Sequence, residues 1–255
     1  MSTSARARAP LPPAALAERV VTAGDPDPVA TLDAVGSAAR ATVLGLLPVG
    51  WSWEGRRVLD FGCGPGASLR HFMAEAHSAQ FYGCDIHAPS IAWVEEHLCP
   101  PVRAFVNGDS PPLPLPDGSL DLVFAMAVFG HITDQWSAWL RELHRVLADD
   151  GLVIATVMGA GMSLRVAGEP WSEERVGMNV FNSGAGFEDG GQGPMVLHSP
   201  WWIRSHWGRI FDVAEIIDDG RPGRHAVVKL FKRPGNVSLE ELERPDPTEQ
   251  RRRLV

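Results

Sequence analysis

Nine residues, Val58 to Gly66 (V-L-D-F-G-C-G-P-G), constrain this chain more than any other stretch. Val58–Phe61 is a short apolar run with one carboxylate, Asp60, and glycines follow at alternate positions, Gly62, Gly64 and Gly66. An apolar strand that breaks into such a loop and then into a helical pattern brings the backbone of an open α/β sheet close to a ligand. A Cβ at those positions would block both the tight turn and the approach. Nineteen residues past Gly66, a second apolar run, Phe81–Cys84, ends in Asp85. A carboxylate at the tip of the second strand can accept hydrogen bonds from both hydroxyls of a ribose. Together the two features predict an adenosine-containing ligand.

The 255 residues suit one α/β domain with decorations. A formal charge of −8 argues against a surface that tracks phosphates, so no nucleic-acid partner is expected. Cys63, Cys84 and Cys99 form no C-x-x-C pair and read as reduced, small apolar residues; the His and Cys spacings make no zinc site. No apolar run approaches ~18 residues, so no membrane span or membrane partner is expected. The opening M-S-T-S-A-R-A-R-A-P lacks the apolar core of a signal peptide. A cytoplasmic protein is the expectation.

Residues 1–30 read as a flexible lead-in with a short helix at Ala14–Thr22, and 31–50 as an N-terminal helix that caps the pocket or pads the sheet. Strand and helix patterns then alternate: strands at 57–61, 80–84, 104–106, 120–125 and 152–157. Helices are expected through Leu69/Phe72/Met73, through Ile91/Val94/Leu98 and over 134–147. Such alternation calls for a Rossmann-like open sheet, mostly parallel, with helices on both faces. Periodicity lapses over 158–198, a lid or insertion, and returns as a helix at 201–209 and strands at 211–217 and 226–231. The short link between these last two strands predicts an antiparallel ending. A single domain thus spans 31–232, and the proline-punctuated, charged residues 233–255 read as a mobile tail.

These residues resemble the class I S-adenosylmethionine-dependent methyltransferases, in their broad small-molecule branch. V-L-D-F-G-C-G-P-G resembles their glycine-rich first motif, and Asp85 falls where their ribose-binding acid lies. L-P-L-P-D-G-S-L-D-L-V-F (Leu113–Phe124) and R-V-L-A-D-D-G-L-V-I-A (Arg145–Ala155) are similar to the segments leading into strands four and five. Asp149-Asp150-Gly151 replaces the more usual Pro-Gly-Gly. The resemblance implies S-adenosyl-L-methionine as cofactor. It implies that Asp60, Gly62 and Gly64 lie against the methionine part, that Asp85 holds the ribose and that Ile86 packs on the adenine. Gly108, Asp109 and Ser110 would edge the adenine, and Met126 and Ala127 would line the pocket near the sulfonium. A nicotinamide-dependent oxidoreductase fits less well, because the glycines follow G-x-G-x-G with Pro65 inside.

The cofactor implied by the resemblance carries an activated methyl group, so the protein has mainly to align a nucleophile and exclude water. Transfer to oxygen or nitrogen can also need a base, and His131, past strand four, is either that base or a support for its loop. Trp171, Met178 and His198, within or at the edge of the insertion, are candidates for contact with the acceptor. No Asn/Asp-Pro-Pro-aromatic sequence follows strand four, no Pro-Cys dipeptide suggests cytosine chemistry, and no carboxylate cluster there suggests a magnesium site. The expectation is metal-free methyl transfer to O, N or C of a small organic molecule. The reading from another class is a cofactor-binding scaffold without the chemistry.

Overall fold

The computed structural model describes residues 9–22, 24–182 and 193–252. They divide into two compact units, 1–106 and 107–255. Residues 1–8, 23, 183–192 and 253–255, which include parts of the expected lead-in, lid and tail, lie outside the described residues.

In the first unit, β1 (Arg57–Phe61), β2 (Gln80–Asp85) and β3 (Arg103–Val106) pair in parallel, with Phe61 opposite Cys84 and Asp85 opposite Val106. A short helix, α1 (Ala14–Ala17), and a long one, α2 (Pro28–Leu46), precede them, and α3 (Ala88–His97) follows β2. Asp27 caps α2 by accepting from the Ala30 N–H, and Pro28 fills its first turn. The helix buries Leu32, Gly36, Ala39, Val43 and Leu46, a stripe at three- and four-residue spacing. Among the described residues α2 is the helix long and apolar enough to cross a membrane by length and composition. Here it is a packed element: Asp33 pairs with Arg70, and Arg40 with Glu75.

Two expectations change in this unit. After β1 the spacing of Leu69 and Phe72 is used by short 3-10 turns, Leu69–His71 and Glu75–His77, in place of an α-helix. A spacing of three residues serves a three-residue turn as well as one face of an α-helix. The described part of the lead-in is not loose. Ala17 and Val21 pack with Leu32 and Ala67, and the buried Arg70 donates to the carbonyls of Ala9 (2.6 Å) and Pro10 (3.3 Å).

In the second unit, β4 (Leu120–Ala125) is buried throughout and pairs in parallel with β5 (Leu147–Val157). β9 (Ala226–Lys232) runs antiparallel to β5 and to β8 (Phe211–Ile217). Within each unit these strands run parallel except β9, which is reversed against β5 and β8, and the Rossmann-like α/β class is as expected. β5 begins earlier than its apolar run, because the register slips between Leu120/Leu147 and Leu122/Leu152 and places Asp149-Asp150-Gly151 at the irregularity. α4 (Trp136–Val146) carries Arg145, which binds Glu142, Asp117 and the Leu115 carbonyl and so pins the proline-rich turn.

The expected irregular stretch holds structure of its own. α5 (Ser163–Ala167) follows β5, and β6 (Met178–Asn182) and β7 (Pro194–His198) form an antiparallel pair with Met178 opposite His198. α6 (Pro200–His206) starts as its Ser199-Pro200 predicts, with the Ser199 hydroxyl accepting from the Trp202 N–H. The mobile-tail reading is corrected. Residues 239–252 form α7 (Leu239–Glu243) and α8 (Pro247–Arg252), and Leu242 is fully buried. Ser238 and Glu241 close a capping box, and one Arg209 nitrogen donates to the carbonyls of Glu241, Leu242 and Arg244 at the far end of α7. Composition alone hid this docking, since one leucine among charges carries it.

Candidate active site

At the tip of β1 the loop is built as its glycines require. Gly62, Gly64 and Gly66 take φ of 76°, 51° and 79°, where a side chain is strained. The Cys84 carbonyl accepts from both Gly62 N–H (2.8 Å) and Cys63 N–H (2.9 Å), tying the loop to β2. Asp85 closes the other side: one carboxylate oxygen accepts the Gly64 N–H at 2.8 Å, the other the His87 N–H at 2.8 Å. Each oxygen keeps a further lone pair for a hydroxyl donor. Sequence reading missed Val20, whose Cγ2 would stand 3.4 Å from a Cβ at Gly64. It brings the N-terminal segment over the loop, and nothing in its residue type announces that.

Asp60 is 2% exposed, and its Oδ2 is buried without a hydrogen-bond partner. Burial, reinforced by the nearby Asp85, pushes its pKa well above the usual carboxylate range. A buried carboxylate with an unmet oxygen is costly unless a cationic donor meets it. The α-ammonium of a methionine moiety is such a donor. Ile86, next to Asp85, leaves 52% of its surface exposed, a large apolar side chain available to a flat ring. An orphaned acid, a bare-backbone loop, a ribose-height carboxylate and an apolar platform fit S-adenosylmethionine. The structure brings Asp60, Gly62, Gly64 and Asp85 together, with Ile86 beside them.

The second unit carries the other expected residues. Gly108, Asp109 and Ser110 are exposed, with the Ser110 hydroxyl donating to Asp109 Oδ1 at 3.1 Å and the Trp139 indole N–H to the Asp109 carbonyl at 3.0 Å. Met126 and Ala127 follow β4 directly. Ala127 is the only described non-glycine residue with positive φ (60°), and its N–H donates to Thr156 Oγ1 at 2.6 Å. Such a strained residue at a strand tip persists because its surroundings hold it. Thr156 was missed, although a hydroxyl inside the apolar run Leu152–Val157 is its signal.

His131 lies in a 3-10 turn, Phe129–His131, half-buried, with Nδ1 2.9 Å from the Pro194 carbonyl. That contact assigns the proton to Nδ1. Burial lowers its pKa, so the ring is neutral near pH 7. The preceding Gly130 sits where a Cβ would meet Met158 Cγ at 2.9 Å, so β5's end fixes the turn. His225, also missed, precedes β9; burial, His131 and Arg165 push its pKa down to about 4. Met158 is bridged to Leu197, and Val157 faces Ala226. His131, Arg165 and His225 therefore gather around the carboxyl end of β5.

Of the acceptor candidates, Trp171 packs on the cluster of Met158, Met162, Val176 and Leu197, and Met178 faces His198 across the hairpin. His198 itself is corrected: it is 1% exposed, with its ring 5.5 Å from Trp202 and 5.9 Å from Trp207. It is a core histidine and not the wall of an open pocket. Its aromatic neighbours, invisible in sequence order, enclose it. Among the described residues no group of His, Cys, Asp and Glu is arranged to hold a metal ion.

Residues 59–155 match the methyltransferase domain model. The chain is 30% identical to a malonyl-[acyl-carrier protein] O-methyltransferase of Serratia marcescens over 141 residues, 55% of this chain and 53% of that one. It is 30% identical to a fatty-acid O-methyltransferase of Mycolicibacterium smegmatis over 103 residues, 40% of this chain and 37% of the relative. The chain thus spans about half or less of these relatives' length. Among solved structures it resembles a Burkholderia thailandensis 1,6-didemethyltoxoflavin-N1-methyltransferase, with a TM-score of 0.57 and 18% identity over 91% of this chain and 98% of that one. That likeness shows the shared fold. Over residues 59–155, then, the chain matches a methyltransferase domain, on a fold shared with solved methyltransferase structures.

Proposed function

We propose that the protein binds S-adenosylmethionine and transfers its methyl group to O, N or C of a small organic acceptor. The observation that carries this reading is the buried, unpaired Asp60 Oδ2 beneath the glycine loop. A raised, unmet carboxylate there calls for a cationic partner, which the cofactor's ammonium supplies. When bound, the cofactor supplies the electrophilic methyl carbon. Asp60 meets its ammonium, Asp85 its ribose hydroxyls, and Ile86 its adenine face. The resemblance further assigns Gly108, Asp109 and Ser110 to the adenine edge, and Met126 and Ala127 to the sulfonium end. Asp109 accepts from the adenine amino group. His131, its Nδ1–H held by Pro194, accepts the acceptor's proton at Nε2. Trp171 and Met178 belong to the wall that selects the acceptor.

Among acceptors, we favour an oxygen nucleophile on a molecule with an apolar body. Met158 and Met162, with Met195 packed against them, form an adaptable apolar surface under β6 and β7. The cationic Arg165 stands near it, suited to an acidic oxygen, with the neutral His131 and His225 beside it. The two sequence relatives above are both named for transfer to oxygen. A cytoplasmic setting agrees with the free Cys63, Cys84 and Cys99. Incubation with methyl-labelled S-adenosylmethionine and a metabolite extract tests the proposal. Label in an extractable organic product supports it, and cleavage of that label by mild base identifies a methyl ester. Cofactor binding with label left wholly in the cofactor would favour the scaffold reading.

A further inference from the structure

A cleft of about 530 Å³ opens in the second unit among the residues after His131, β6, α6 and the C-terminal helices. Its walls combine the rings of Trp136, Trp202 and His206 with the carboxylates Asp134, Glu243 and Glu249. Trp136 and Trp202 meet edge to face at 4.9 Å, and Trp202 stacks on His206 at 4.5 Å. No lysine or arginine stands among the described lining residues. Arg209 lies behind His206, with its guanidinium spent on the carbonyls at the end of α7. Aromatic faces and carboxylates both favour a positive charge and repel a negative one.

His206 defines the ligand more closely. It is 3% exposed, and Nδ1 lies 2.8 Å from the Leu242 carbonyl, which can only accept, so the proton sits on Nδ1. Nε2 is buried and without a hydrogen-bond partner. The Glu249 carboxylate oxygen Oε2 stands 3.4 Å away. The aromatic rings and carboxylates of this cleft, with no lysine or arginine among its described lining residues, call for a cation. We propose that this cleft is a binding site for a protonated amine with an apolar or aromatic body. Its ammonium lies against the Glu249 carboxylate, and its body lies on the edges of Trp136 and Trp202. Glu243 and Asp134 add charge at the rim.

The site stands apart from the cofactor reading and is tested by binding alone. Calorimetry on the full chain at neutral pH, with benzylamine and its uncharged counterpart benzyl alcohol as probes, decides the matter. Benzylamine should bind at least tenfold more tightly than the alcohol. The variant Glu243→Gln/Glu249→Gln should remove that preference. Both substitutions keep the carbonyl-type acceptors used by Ser137 and by the Asp246 N–H, so the fold is preserved, as an unchanged melting curve would verify. No binding of benzylamine at millimolar concentration overturns the proposal. So does equal binding of both probes, or a preference that survives in the double variant.

Discussion

The Gly64 N–H donates to Asp85 Oδ2 at 2.8 Å, so the glycine loop and the acid of β2 hold one another in place before any ligand arrives. The sequence separates these residues by twenty-one positions, and the parallel register of Phe61 with Cys84 brings them together. The cradle is preorganised: no loop has to be ordered at binding, and that entropy cost is already met by folding.

Gly36 stands where α2 touches the turn after the glycine loop, and a Cβ there would lie 1.9 Å from the Ala67 carbonyl oxygen. In an open helix, Gly→Ala stabilises by about 1 kcal/mol. Here the clash with backbone dominates, and Gly36→Ala should destabilise by about 1–3 kcal/mol. Urea denaturation reads the sign directly; a gain in stability would mean that α2 does not approach so closely.

Thr156→Val should cost about 1–3 kcal/mol, because the Ala127 N–H loses its acceptor while Ala127 remains in the left-handed region. Denaturation midpoints of the variant and the parent check this. An unchanged midpoint would show that the turn past β4 finds another partner.

His131→Ala should leave cofactor affinity unchanged and lower turnover by about a hundredfold or more. Burial depresses the His131 pKa, so the parent's rate should hold at neutral pH and fall as pH drops through a value below about 6.5. A full rate in the variant would return His131 to holding its loop through Pro194.

The core histidine His198 makes stability depend on acid. Its folded pKa is pushed down to about 4 by burial, whereas an unfolded histidine titrates near about 6.5. Between those values the unfolded chain binds more protons, so stability falls as pH drops from about 6.5 to about 4, by up to roughly 3 kcal/mol. His225, also pushed down to about 4, acts in the same window. His198→Phe should flatten the dependence measured by urea titrations across this range. An unchanged slope would place the proton uptake elsewhere.

Much of the fold was legible because β1 and β4 are bounded by residues that leave no alternative: Asp60-Phe61 against Gly62, and the apolar run from Leu120 against its proline-rich approach. The loop at the tips of β1 and β2 was legible for the same reason, since its glycines and Asp85 work through local backbone and strand tips. The acceptor side was not. His198 looked like a loop residue until Trp202 and Trp207 enclosed it, and the β6–β7 pair joins segments that share no clear alternation. The role of Arg70 in tying down Ala9 and Pro10 spans some sixty positions, which no local pattern reports.

Calorimetric titration of S-adenosylhomocysteine into the parent and into Asp85→Ala is the most direct check on where the nucleoside lies. The parent should bind at micromolar concentration, and the variant should lose about 1–3 kcal/mol, a factor of roughly five to 150, as charged-acceptor hydrogen bonds disappear. Absence of binding to the parent, or equal affinity in the two proteins, would contradict the assignment of the strand tips as the cofactor site.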